Sequence, residues 1–313
     1  MVGRAGVWRW LEPLAGAAVL AALVWKMGAG PFLDGFKAVN VQALVAAAAI
    51  TLATTVCCAW RWRLVARGLG FEIPLGGAIA AYYRSQFLNS VLPGGVLGDV
   101  HRGVKHGQES GQAGRGLRAV VWERAAGQTV QLILAVGLLA LLPSAVHQLS
   151  AFLAVVLLAV VSATLFALHW RSVAGTRWWA RALRASAADI RSGVLNWSTA
   201  PGVVVASVAA VGGYTAIFLI AARTAGITAP LGQLLPLAVL VLLAMSVPAN
   251  IAGWGPREGA AAWAFGAAGL GAAQGVSAAV VYGVLTFASV VPGAVVLAVG
   301  WVRSPDKQGE PHA

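Results

Sequence analysis

Apolar runs about as long as a bilayer is thick constrain this chain more than any other feature. They lie near residues 12–27, 41–60, 118–142, 150–169, 201–222 and 274–302, with ionisable residues confined mostly to their ends. A helix of about 20 such residues spans the hydrocarbon core. Its backbone polar groups are then satisfied within the helix, as lipid requires. Only 10% of the residues are charged and 59% are hydrophobic, whereas a soluble domain carries about 25% charge. One soluble core built from 313 residues cannot hide that much apolar surface. A membrane β-barrel needs segments of about ten residues with alternating polarity, and these runs do not alternate. The expected fold is an all-α polytopic membrane protein with about six full spans.

The net charge of +12 would point to nucleic acid in a soluble protein. Here the bases gather in loops beside the apolar runs. That is the pattern of a positive-inside topology in contact with anionic lipid heads, and no nucleic-acid partner is expected. The only cysteines, Cys57 and Cys58, are neighbours inside an apolar run, which speaks against a disulfide framework or a metal site. Arg4 and Arg9 precede the first run without a convincing small-x-small cleavage site. That run reads as a retained helix with a cytoplasmic N-terminus. Residues 28–40 read as a link, and Trp60, Arg61, Trp62 and Arg63 as an interfacial collar closing the second span.

Two segments do not fit a simple span. Residues 72–98 are interrupted at Pro74, Gly76 and Gly77 and again at Pro93, Gly94, Gly95 and Gly98, with basic loops on both sides. This predicts a broken, re-entrant element entering and leaving from the cytoplasm. The run 233–247 is short, breaks at SVPANIAGWGPREGA and resumes weakly to Gly271. A re-entrant pair entering from outside is the preferred reading, with two short full spans as the alternative. Residues 170–198 hold Arg171, Arg177, Arg181, Arg184 and Arg191 with Trp178, Trp179 and Trp197. They read as an amphipathic surface helix, or else a solvated basic loop. The whole is taken as one integral membrane domain, 1–304, divisible at 142 and 150, with a disordered cytoplasmic tail at 305–313.

The two breaks echo each other. Ser90-Val91-Leu92-Pro93 leads through Gly95 and Gly98 to Arg102. Ser246-Val247-Pro248 leads through Gly253 and Gly255 to Arg257. A carboxylate, Asp99 or Glu258, accompanies each. Broken helices at corresponding places in two halves mark binding sites in transporters built from inverted repeats. With glycine so abundant, chance similarity is the competing explanation.

The candidate site follows from these breaks. Arg84, Arg102, Arg124 and Arg257 sit in or beside apolar sequence, and a guanidinium grips phosphate oxygens in pairs. The competing reading is that each arginine snorkels to the interface. Asp99, Glu123 and Glu258 either balance these bases when the site is empty or titrate during transport. Glu123 and Arg124 are adjacent, so on a helix they point about 100° apart and are placed to pair with other segments. Asn89 and Asn250 stand near the breaks as helix caps or head-group ligands. His101 and His106 read as loop histidines. No catalytic motif, cofactor site or metal site stands out.

FLNSVLPGGVLGDVHR resembles the F-N-x-x-x-P-G-x-x-G-G-D-x-x-R signature of the flippase-like membrane domain family, which is similar to the transmembrane region of lysylphosphatidylglycerol synthase. Glu123-Arg124 at the head of a span and Gly255-Pro256-Arg257-Glu258 after Pro248 resemble its second and third motifs. Leu97 stands where the family often has a glycine. The resemblance covers nearly the whole chain, and it implies movement of a lipid across the bilayer, often a phospholipid or a polyprenyl-linked glycolipid. By position it points to Asn89, Pro93, Gly98, Asp99, Arg102, Glu123, Arg124, Arg257 and Glu258. No soluble aminoacyl-transfer domain follows Arg303 in this sequence, so lysylphosphatidylglycerol synthesis is not expected of it.

The expectation is therefore a translocase of the cytoplasmic membrane for an anionic phospholipid or polyprenyl-phosphate lipid, with Arg102 and Arg257 holding the phosphate. Two other readings stand beside it. One is a non-transporting membrane partner that anchors a glycosyltransferase through its basic face. The other is an enzyme acting on a lipid head group, which lacks a nucleophile–base pair.

Overall fold

A computed structural model describes residues 17–92, 95–109, 113–141, 148–169, 178–246 and 254–302. The described residues are almost all helical, as the long apolar runs demand. Helix α1 (Ala17–Met27) turns by 101° into α2 (Gly30–Ala38), with Pro31 supplying the fixed φ of a first helical turn. Residues 28–40, read from sequence as a link, are thus largely helix.

Helix α3 (Val41–Gly68) starts at Asn40, whose side chain accepts the Ala43 N–H at 2.9 Å. It runs past the expected end at residue 60. Helix α9 (Ala200–Thr224) lies antiparallel to it. Gly202 faces Trp60 and Leu64 near one end of the pair, and Gly213 faces Ile50 and Thr54 further along. A Cβ on Gly213 would stand 2.2 Å from Thr54 Cγ2, so glycine sets how closely these two helices approach.

Between α3 and the next long helix, α6 (Ala113–Leu141), the chain makes a hairpin of α4 (Leu75–Val91) and α5 (Leu97–Glu109). With 17 residues, α4 reaches about 25 Å, short of the roughly 30 Å hydrocarbon core. Its helix stops at Leu92, where the following proline disfavours helical backbone. Arg63, Arg67, Lys105, Arg115 and Arg118 collect at the face where α3 ends and this hairpin enters. We call this the basic face.

A second hairpin follows α9. Helix α10 (Leu231–Ala244) descends 14 residues, and α11 (Pro256–Ala267) returns. Because α9 runs antiparallel to α3, this hairpin enters from the face opposite the first. Gly255 takes φ of +116°, open to glycine but not to ordinary residues. That turn lets Pro256 start α11, and the Glu258 carboxylate accepts the Gly255 N–H at 2.7 Å. Helix α12 (Ala272–Val290) continues nearly unbroken as α13 (Pro292–Val302). Val296 of α13 shares a pocket wall with Pro74 at the start of α4, so the chain ends its last helix at the basic face. The order span, broken hairpin, span thus occurs twice, in opposite directions, as the echo of the two breaks predicted.

The core is packed around the second hairpin. Ile217, Phe218, Leu234, Leu237, Phe265 and Leu285 from α9 to α12 are buried together. A second cluster joins Trp62 and Val65 of α3 to Tyr82, Val120 and Val203. Helix α7 (Gln148–His169) is peripheral and turns Phe152, Val155, Leu158 and Leu165 outward.

The span count differs from the expected six. Among the described residues four helices are long and apolar enough to cross a membrane: Val41–Gly68, Gly114–Leu141, Ala200–Thr224 and Ala272–Gly300. The bent α1–α2 pair makes a fifth if it is one span. Its sharp bend and the shorter apolar reach of α7, Ala151–Phe166, account for the difference. Within the basic segment after α7, α8 (Trp178–Asp189) is helical and passes through a π-helical turn, Ile190–Val194, toward α9. Arg171, Arg177 and the tail 305–313 lie outside the described residues.

Candidate functional site

The tips of the two hairpins reach one cavity of about 210 Å³. Gly95 and Val96 from the first tip and Met245 and Ser246 from the second line it. Between them α6 contributes Arg124, Gln128 and Gln131, while Tyr214 and Tyr282 come from α9 and α12. The Ser246 hydroxyl donates to Gln128 Oε1 at 2.6 Å, tying the second tip to α6. Arg124 is the one charged residue of this lining. The rest of the polar wall is neutral amide and hydroxyl, suited to hydrogen bonds with a head group.

Directly beneath the cavity lies a buried ion network. The Glu123 side chain is fully buried. Its Oε1 accepts from Arg61 Nε at 2.8 Å, from Arg61 Nη2, and from the Tyr82 hydroxyl at 2.9 Å. Its Oε2 accepts from Arg102 Nη2 at 3.1 Å. Asp99 stands between two arginines. Its Oδ1 accepts from Arg102 Nη2 at 3.0 Å and from the Ser85 hydroxyl at 2.9 Å. Its Oδ2 accepts from Asn89 Nδ2 at 2.7 Å and pairs with Arg124. Three guanidinium groups thus share two carboxylates. Such a cluster persists in a low-dielectric interior because each charge has partners close by.

Local sequence builds this network. Gly98 donates its N–H to Asn89 Oδ1 at 2.8 Å, so Asn89 ties α4 to the first turn of α5. A Cβ at Gly98 would fall 2.1 Å from the Ser85 carbonyl, so only glycine lets the hairpin arms close. Asp99 and Arg102 are one helical turn apart on α5, the i,i+3 spacing of neighbours on one face. The Arg102 guanidinium lies over the rings of Trp62, at 4.4 Å, and Tyr82, at 4.0 Å.

The second hairpin carries its own pair. Arg257 Nε donates to Glu258 Oε1 at 2.7 Å, and Arg257 Nη2 lies 2.6 Å from the same oxygen. The guanidinium lies over the rings of Trp254 and Tyr282, at 4.9 and 5.6 Å. Tyr282 therefore separates this pair from the cavity it also lines.

The structure brings Asn89, Gly98, Asp99, Arg102, Glu123 and Arg124 into one network, with Glu123 and Arg124 pairing away from each other. Arg257 and Glu258 form a separate pair, and Arg84 lines a pocket at the basic face. Pro93 and Asn250 lie outside the described residues. Neither Arg102 nor Arg257, the two expected phosphate ligands, belongs to the central cavity's lining, where Arg124 stands instead.

Several members were not foreseen. Arg61 and Trp62, read as an interfacial collar, are both buried. The periodicity of α3 carries the signal, because Thr51, Thr54, Thr55, Cys58 and Arg61 share its buried face. Arg124, Gln128 and Gln131 likewise recur at i, i+4 and i+7, a polar stripe on an otherwise apolar half of α6. Tyr82 and Ser85 had no comparable mark.

An all-α polytopic membrane protein, with two hairpins broken at one polar cavity and entering from opposite faces, is the class this architecture defines. Residues 9–293 match the family described as the lysylphosphatidylglycerol synthase TM region, and the chain belongs to that family. The comparison with curated proteins and that with solved structures each gave no match.

Proposed function

We propose that the chain translocates a phosphate-bearing lipid across the cytoplasmic membrane, with the basic face and the N-terminus on the cytoplasmic side. The observation that supports this is the meeting of two oppositely entering hairpin tips at one polar cavity. A broken backbone at membrane depth is tolerated where it is sheltered by protein or lines a wet cavity. Paired broken helices in opposed halves place the substrate site of alternating-access transporters.

In this reading the head group enters the cavity and its phosphate meets Arg124. Gln128, Gln131 and the two tyrosines bind its remaining polar atoms, while the tails stay in lipid. An anionic head crossing hydrocarbon without such partners faces a cost of several kcal/mol. Rocking of one hairpin against the other, with the Ser246–Gln128 contact breaking and reforming, opens the cavity to each face in turn. Membership of a lipid-associated membrane family agrees with the reading.

The test is reconstitution into liposomes carrying head-group-labelled phosphatidylglycerol or a labelled short-chain polyprenyl phosphate. Loss of inner-leaflet protection of at least one lipid, faster than in protein-free vesicles and slowed by Arg124→Gln, is the expected result. Rates equal to those of empty vesicles for both lipids would rule the proposal out.

A further inference from the structure

We propose that the basic face carries a phosphate-binding subsite distinct from the central cavity. It is a pocket of about 240 Å³ between α3, α4, α5 and α13. Arg84, Arg102, Lys105 and His106 contribute to its wall, together with Trp62, and among the described residues no carboxylate lines it.

The decisive feature is a set of buried donors. The Arg102 guanidinium lies over the rings of both Trp62 and Tyr82, and its remaining interactions are hydrogen bonds through its nitrogens. One nitrogen, Nη2, serves Asp99 and Glu123. Among the described residues Nε and Nη1 find no acceptor, and neither does the Trp62 indole N–H. Both residues are about 1% exposed. Buried donors are nearly always paired in folded proteins, and leaving them unmade is costly. A wall of cations and buried N–H donors matches an oxyanion with several acceptor oxygens, and a planar guanidinium fork suits phosphate.

The subsite communicates with the central cavity through Asp99. That carboxylate holds Arg102, on the pocket side, and Arg124, on the cavity side. A phosphate that takes Nε and Nη1 of Arg102 shares its charge with Asp99, which stays on Nη2, and so leaves Asp99 more firmly on Arg124. Occupation at the basic face therefore biases the charge offered to the cavity. The binding claim itself does not depend on translocation.

The phosphate has two sources, a lipid head group or a soluble ester. Calorimetric titration of the full chain in phosphatidylcholine nanodiscs distinguishes them, with inorganic pyrophosphate and dihexanoyl phosphatidic acid as probes. Saturable binding of at least one probe is expected, weakened tenfold or more by Arg84→Gln combined with Lys105→Gln. Arg102→Lys, which keeps the charge and loses the fork, weakens it as well. Arg223→Gln on the opposite face leaves it unchanged. Competition between the probes identifies the phosphate itself as the ligand. Binding of the lipid alone assigns a head group, and binding of pyrophosphate alone a soluble ester. No binding of either probe, or equal binding to the Arg84→Gln/Lys105→Gln variant, overturns the subsite. Because no transport is measured, a failed flipping assay leaves this result intact.

Discussion

Arg61 Nε donates to Glu123 Oε1 at 2.8 Å across the α3–α6 contact, and both side chains are buried. Glu123 is also the acceptor for Tyr82 and Arg102. Removing its charge leaves Arg61 with no carboxylate in a low-dielectric interior and Arg102 with Asp99 alone, whereas removing Arg61 leaves Glu123 with Arg102. Breaking a buried pair from one side costs about 3–5 kcal/mol. Glu123→Gln is therefore expected at the upper end of that range and Arg61→Gln below it. Tyr82→Phe, which deletes one hydrogen bond to a charged group, is expected to cost about 1.5–3 kcal/mol. Thermal unfolding in detergent, followed by tryptophan fluorescence, ranks the three. Equal stability of Glu123→Gln and wild type would mean the network is not a structural tie.

The first hairpin depends on Gly98. An added methyl would stand 2.1 Å from the Ser85 carbonyl and 2.8 Å from Asn89 Oδ1. Neither neighbour is free to yield, because Ser85 and Asn89 both hold Asp99. Gly98→Ala is expected to cost about 1–3 kcal/mol, the usual range for overpacking. Gly137→Ala on α6 has open space around it and should be neutral or stabilising, by roughly 0.5 kcal/mol from helix propensity. If the two substitutions lower the melting temperature equally, close packing of the arms is not what glycine supplies at 98.

Much of this was legible in the residues, for reasons that differ from place to place. The hairpins announced themselves because a proline beside clustered glycines tends to end a helix; neither residue does so alone, since α4 runs through Gly76 and Gly77, against the break expected there, and α10 runs through Pro236. Asp99 and Arg102 stood out because ionisable groups are rare in this chain, and their i,i+3 spacing fixes a common face. Arg61 was misplaced because tryptophan and arginine at a span end resemble an interfacial belt. Only the 3.6-residue period of α3 shows which of Arg61 and Arg63 turns inward. The choice of Arg124 over Arg102 and Arg257 as the cavity's charge was not readable at all. It depends on how α6 is rotated against the two tips, a tertiary relation with no local signature. The bend between α1 and α2 was missed for a similar reason, since Gly28 and Gly30 permit a turn without dictating its angle.

The opposed entry of the hairpins has a direct chemical test. Glu72 precedes α4 on the basic face, and Thr228 precedes α10 on the other, and both are exposed. In a background with Cys57 and Cys58 replaced by alanine, Glu72→Cys and Thr228→Cys are expected to react with an impermeant maleimide from opposite sides of oriented vesicles. Labelling of both from one side would require α10 and α11 to enter as α4 and α5 do, and the inverted arrangement would be lost.

Arg124 should separate transport from stability. Its side chain is 41% exposed, and its carboxylate partner Asp99 keeps Arg102, Ser85 and Asn89 when it is gone. A charge pair with that much solvent contact contributes at most about 1 kcal/mol, so Arg124→Gln should melt close to wild type. Yet it removes the one cation of the central cavity, and the head group's phosphate then loses its charge-assisted partner, a bond worth about 1.5–3 kcal/mol. That corresponds to a slowing of lipid movement by roughly 10- to 150-fold in reconstituted vesicles, since each 1.4 kcal/mol is about tenfold. Arg124→Lys keeps the charge without the planar fork and should fall between the two. Glu123→Gln is expected to show the reverse pattern per folded molecule, with a large loss of stability and a smaller loss of rate. A variant Arg124→Gln that transports at the wild-type rate would move the head-group contact elsewhere in the cavity, to the amides and hydroxyls of Gln128, Gln131, Tyr214 and Tyr282.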